Sequence, residues 1–141
     1  MRTARTILGL SLTGATFWTL TAQPPKSVAD GVFSDAQAQR GAGVYKTQCA
    51  SCHGDDLSGQ GQTPPLSGDD FKANWNGQTV DDLFEEIQAS MPGDHPGSLT
   101  REQNADIIAF LLKSNQFPAG KSDLPSEAAA LKQIKFEAAK K

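Results

Sequence analysis

Five consecutive residues carry the most reactive chemistry of this chain: Cys49-Ala50-Ser51-Cys52-His53. Two thiols three positions apart can each add to one vinyl group of a haem and form a thioether. The imidazole that follows is then placed to bind the iron from one side, so C-x-x-C-H reads as a c-type haem attachment. Other chemistries use the same residue types. A thioredoxin-like redox pair belongs in a βαβ context, and no convincing strand pattern occurs. A structural zinc site needs four ligands, which Cys49, Cys52, His53 and His95 supply only with awkward geometry. A plain disulfide is the remaining alternative. Motif, helical context and an export-type N-terminus together favour haem.

An iron held in this way takes His and Met as axial ligands, and the Met raises the potential. Apart from Met1 the chain has one methionine, Met91, in Ser90-Met91-Pro92-Gly93. Pro92 lacks an N–H and stiffens the loop that would carry this weak ligand. A lone Met can equally fill a core. His95, in Asp94-His95-Pro96-Gly97, is the rival for the same iron face. The expected axial pair is His53 and Met91, with His95 a solvated loop residue.

Three helices must position these groups. Ser34-Asp35-Ala36-Gln37 has the form of a capping box and opens a helix running to about Cys49. Gly41 and Gly43 interrupt it at about 1 kcal/mol each relative to Ala, so a close backbone contact is expected at Gly41. Thr79 opens a second helix, with Asp81 and Asp82 at the positive end of its dipole. Val80, Leu83, Phe84 and Ile87 share one face, and Pro92 ends it near Ser90. Thr100 and Gln103 form another capping box before a third helix, which carries Ile107, Ile108, Phe110, Leu111 and Leu112. Between His53 and Trp75 lie six Gly and Pro residues. A long irregular stretch of this kind is usually functional or disordered, and here it could wrap a bound object, with a short helical turn near Asp69–Ala73. The expected class is all-α, with three main helices and long loops.

Composition agrees. The chain has 141 residues, 38% of them hydrophobic and 7% aromatic. That is a single-domain length with a lean apolar core, so a cofactor that fills the middle is expected. Net charge is −3, and no basic excess or stripe marks a nucleic-acid binder. Arg2 and Arg5 precede an uncharged, mostly apolar run from Ile7 to Leu20, the layout of a secretory signal. The run is shorter than the ~20 residues of a membrane span. The expected organisation is a signal over 1–22, cut after Ala22 or Ala29, and a Pro/Gln/Ser linker over 23–33. A domain over 34–117 follows, then a tail over 118–141 that packs on the domain or serves in docking. An uncleaved signal would tether the protein to a membrane. An exported location such as the periplasm is expected.

From about Ser34 to Asn115 the chain resembles the class I monohaem cytochromes c. Gly41 and Tyr45 stand where that family places a Gly and an aromatic residue that pack against its last helix, whose partners correspond to Ile107 and Phe110. Thr63-Pro64-Pro65-Leu66 is similar to the family's Pro-x-Leu loop, in which a proline carbonyl accepts a hydrogen bond from the proximal His. Pro64 fits by its spacing to Leu66 and Pro65 by its distance from His53. The resemblance implies one covalently bound haem c, attached at Cys49 and Cys52 and ligated by His53 and Met91. It implies a one-electron carrier rather than an enzyme, with redox proteins as partners. Trp75 would give its indole N–H to a haem propionate or to backbone, and Asn76 would bond a propionate or cap a turn. Further segments, Pro65-Leu66-Ser67-Gly68, Asn76-Gly77-Gln78-Thr79 and Asn115-Gln116-Phe117-Pro118 among them, are similar to small cytochromes associated with quinoprotein (PQQ) alcohol dehydrogenases. This implies such a dehydrogenase as donor and an oxidase or another cytochrome as acceptor, or a fixed place in the dehydrogenase complex. A ligand-binding haem protein with a labile Met91 is the other alternative.

Overall fold

The computed structural model describes residues 26–137. Six helices dominate it: α1 (Asp35–Gln48), α2 (Ala50–His53), α3 (Gly68–Trp75), α4 (Val80–Ser90), α5 (Arg101–Ser114) and α6 (Ala128–Leu131). The three long ones begin where the caps predict. Ser34, Thr79 and Thr100 each accept a backbone N–H with the side-chain oxygen, satisfying one orphan donor per helix. The boxes close at Thr79 with Asp82 and at Thr100 with Gln103. At Ser34 the box does not close. Gln37 is buried and spends its amide on the tail: Nε2 donates to the Leu124 carbonyl at 3.0 Å and Oε1 accepts from Leu124 N at 2.6 Å.

The core lies between α1, α4 and α5. The apolar stripe Val80, Leu83, Phe84 and Ile87 is buried, as are Ile107, Ile108, Leu111 and Leu112, while Phe110 is half-buried. The principal helix pair is α1 with α5. Gly41 makes that approach possible, because a Cβ there would stand 1.8 Å from the Asp106 carbonyl oxygen and 3.0 Å from Phe110 Cβ. Four residues on, the Tyr45 ring meets Phe110 with centroids 5.1 Å apart. Gly43 faces open space. Along the solvent side of this seam, Arg40 joins Asp106 and also Asp123, and Lys113 joins Asp35 at 2.6 Å.

One expectation is corrected. The stretch read as an unstructured linker is built into the domain from Lys26 onward. A two-residue strand, β1 (Lys26–Ser27), pairs in parallel with β2 (Ile134–Lys135) at the edge of an otherwise all-α fold. A 3-10 turn follows at Val28–Asp30, and Val28 and Phe33 are fully buried. Residues 1–22, with the cut after Ala22, lie outside the described residues. A cut after Ala29 would remove β1 and the Val28 side chain from the core. The tail packs on the body as far as it is described. Leu124, Leu131, Ile134 and Phe136 are buried. Phe136 sits edge-on to both Phe71 and Phe117 and exchanges backbone hydrogen bonds with Gly77 and Gln78. No described helix is long and apolar enough to cross a membrane.

Candidate functional site

α1 ends at Cys49, whose backbone (φ −126°, ψ −34°) leaves the helical region. The short α2 starts at once, and the N–H groups of Cys52 and His53 both donate to the Cys49 carbonyl. This break lets both thiols and the imidazole line one cavity of about 710 Å³. The wall opposite is apolar and comes from α3, α4 and α5: Phe71, Trp75, Leu83, Ile87, Ile107 and Leu111. Met91, at the C-cap of α4, enters from the loop that joins α4 to α5. Four of the residues singled out for iron or haem therefore meet in one space, although Cys49 and Met91 are far apart in the chain.

The loop after α2 fixes the imidazole. His53 is buried, and its Nδ1 lies 3.0 Å from the Pro64 carbonyl oxygen. A carbonyl only accepts, so Nδ1 carries the proton and donates, and the Nε2 lone pair is left for a metal. Of the two prolines, Pro64 therefore supplies the carbonyl, and Pro65 lines the cavity beside it. Gly59 determines which one is presented. It adopts φ +73°, its N–H donates to the His53 carbonyl at 2.8 Å, and a Cβ there would stand 2.3 Å from the Thr63 carbonyl oxygen. Only a glycine lets the loop fold back so tightly.

The Tyr45 hydroxyl, on a residue the sequence marks only for its packing ring, and Asn115 complete the frame. The Tyr45 hydroxyl donates to the Gly54 carbonyl at 2.7 Å, directly after His53, and burial pushes that hydroxyl up to about 12. The buried Asn115 joins the end of α5 to the other flank of the loop. Its Nδ2 donates to Leu66 O and Leu111 O, and its Oδ1 accepts from Gly68 N. Asn115 lies within a segment flagged by resemblance. Nothing else in the sequence distinguishes it from any polar residue at a helix end.

The thiols are free. Burial, and then the neighbouring Cys52, push the Cys49 thiol up to about 11, so it is protonated at neutral pH. A thioredoxin-like pair works through a thiolate of lowered pKa, and this environment does the opposite. Among the described residues no group of three or more His, Cys, Asp or Glu side chains gathers as a metal site. Trp75 is half-buried on the cavity wall, 6.5 Å from the Phe71 ring, and Asn76 is the C-cap of α3. His95 also lines the cavity, but it is exposed and pairs with Asp94 at 3.2 Å.

A helical domain with a large apolar cavity, two free thiols and an oriented imidazole suits a flat apolar metal macrocycle such as haem. The thiols suit thioether attachment to its vinyl groups, and the imidazole suits its iron. The family described as cytochrome c oxidase, cbb3-type, subunit III matches residues 36–111, just over half of the chain, and the protein belongs to that cytochrome c family. Haem c, covalently bound, is the cofactor of such a domain, and Cys49 and Cys52 have the attachment spacing. A cytochrome c domain transfers electrons. Among solved structures the chain is similar to the sulfane dehydrogenase SoxCD from Paracoccus pantotrophus. The identity is 23% and the TM-score 0.50, over 84% of this chain and 61% of that one. This likeness concerns the fold, and the chain spans about three-fifths of that relative's length. No curated protein matches the chain.

Proposed function

We propose that the protein is an exported, periplasmic one-electron carrier, and not itself an enzyme. In this reading Cys49 and Cys52 would hold the haem, and His53 Nε2 and the Met91 sulfur would ligate its iron. The observation that carries it is the single cavity into which Cys49, Cys52, His53 and Met91 all open, with His53 Nδ1 held by Pro64. When bound, the haem supplies a one-electron Fe(III)/Fe(II) couple. The chain does the rest. Pro64 fixes the ring and makes it more electron-rich. The walls from α4 and α5 exclude water. Trp75 would give its indole N–H to a propionate, a reading supported by its half-buried place on the cavity wall.

The donor we propose is a periplasmic dehydrogenase. A quinoprotein alcohol dehydrogenase is suggested by the segment resemblances, with an oxidase or another cytochrome as acceptor. A fixed place in such a dehydrogenase complex is the second reading, suggested by the same segment resemblances. Since the tail is part of the core, docking in such a complex would use the cavity mouth and not a free tail.

Spectra of the ferric and ferrous protein, with acid–acetone extraction, test the central reading. Haem should resist extraction, and the ferric form should show the weak long-wavelength Met–iron band. Met91→Ala should abolish that band and lower the potential by on the order of 0.1 V or more, a fraction of the ~0.8 V that axial ligands span. His95→Ala should leave both unchanged. A ferric protein that lacks the band, and whose spectrum and potential change in His95→Ala but not in Met91→Ala, would reverse the two roles.

Among the described residues the cavity lining includes two carboxylates, Glu86 and Asp94, and no Lys or Arg. At low salt a cationic cobalt(III) oxidant should therefore oxidise the ferrous protein about tenfold faster than an anionic one of equal driving force. The gap should shrink as ionic strength rises toward 0.15 M, where the Debye length is ≈ 8 Å. Faster reaction with the anion at low salt would contradict this picture.

A further inference from the structure

The loop that carries Met91 leaves α4 at Met91 and returns at Leu99, just before the cap of α5. Within it, His95 N donates to Pro92 O and Ser98 N to His95 O. These are local turns that shape the loop without fastening it to the body. Met91 and Gly97 are joined by a long 3.3 Å hydrogen bond. Among the described residues, the bond that ties the far end to α4 comes from a side chain: Gln88 Nε2 donates to the Leu99 carbonyl at 3.1 Å.

What orients Gln88 is Asn104, fully buried on α5. Asn104 Nδ2 donates to the Phe84 carbonyl at 2.9 Å and to Gln88 Oε1 at 3.4 Å. That amide has two hydrogens, and both are used. With Oε1 drawn toward Asn104, the Gln88 NH2 is turned toward Leu99. A flipped Gln88 amide would face nitrogen to nitrogen at Asn104 and oxygen to oxygen at Leu99. Asn104 Oδ1 is buried without a partner, so this orientation is kept at some cost, and the return is a closed loop base.

We infer that Gln88, oriented by Asn104, is a positioning residue that clamps the base of the 91–99 loop and so holds Met91 against the iron. The inference rests on the axial role proposed for Met91. Opening the clamp should free the loop locally, raising the rate at which an added ligand displaces Met91 while the helices stay folded.

The test measures imidazole binding to the ferric holoprotein, the Met–iron band and the thermal midpoint. Gln88→Met removes both polar ends at similar length. Gln88→Glu keeps the acceptor for Asn104 and loses the donor for Leu99, so it preserves the helix contact if Gln88→Met folds poorly. Each should speed imidazole binding by about fivefold or more, the factor expected for loss of one net hydrogen bond. Ser34→Ala, which removes the α1 cap remote from the loop, should lower the midpoint without that acceleration. Exchange within twofold of the unsubstituted protein in both Gln88 variants would overturn the inference. So would an equal acceleration in Ser34→Ala, which would make the effect one of general stability. A band that survives Met91→Ala overturns the axial reading itself. A band lost in Met91→Ala with unchanged exchange in the Gln88 variants overturns the clamp alone.

Discussion

Cys49→Ala/Cys52→Ala, made together, should yield a chain that loses its haem on acid–acetone extraction and does not fold to a cooperative domain. The first effect follows from the absence of any thioether. The second follows from the size of the space to be filled. A closed void in a core costs about 24 cal/mol per Å³. The cavity here, about 710 Å³, opens to solvent, so the full rate does not apply. The cost comes instead from apolar wall left facing water, at about 25 cal/mol per Å², set against the ~5–15 kcal/mol that holds a domain together. The exposed wall would include Leu83, Ile87, Ile107 and Leu111, which belong to the faces that pack α4 and α5 into the core. Loss of haem and loss of cooperative unfolding should therefore appear together in circular dichroism and in the spectrum. A double variant with full helix content, a sharp thermal transition and no haem would contradict the view that the cofactor is part of the core.

The site was more legible in the sequence than the edges of the fold, and the reason is range. The attachment motif, the caps at Thr79 and Thr100, and the stripe on α4 are written within a few residues, where local geometry alone decides the outcome. The Ser34 box depended on Gln37 turning back three residues, and a partner from the tail, Leu124, captured it instead. Residues 26–33 carry no period because strands of two residues have none. Their order comes from pairing with Ile134–Lys135, more than a hundred residues along the chain. Pro64 and Pro65 were indistinguishable by spacing, and the turn at Gly59 decides between them. Asn115, Gln88 and Asn104 act through amides that cross between elements. No short pattern announces such residues, since polar residues near helix ends are ordinary and only their burial sets them apart.

Gly41 and Gly43 look alike in sequence, and their substitution should have opposite effects. Each glycine inside a helix costs up to about 1 kcal/mol relative to Ala, so either change gains that much if the new methyl group has room. At Gly43 nothing lies within 4 Å of the added Cβ, and Gly43→Ala should raise stability by up to ~1 kcal/mol. At Gly41 the Cβ would stand 1.8 Å from the Asp106 carbonyl oxygen and 2.4 Å from its carbon. These are backbone atoms of α5, which no rotamer change can move aside. The helices must separate, which would loosen the Tyr45–Phe110 contact and the Arg40–Asp106 pair along the same seam. Overpacking of this kind costs about 1–3 kcal/mol where side chains can yield, and about 4 kcal/mol or more is expected against rigid backbone. Because α5 also carries Ile107 and Leu111 into the cavity wall, Gly41→Ala should weaken the Met–iron band as well as the fold. Denaturant unfolding of the two holoproteins measures the contrast. Equal stability of Gly41→Ala and Gly43→Ala would mean that α1 and α5 do not meet at Gly41, and the placement of the whole α5 wall of the cavity would have to be revised.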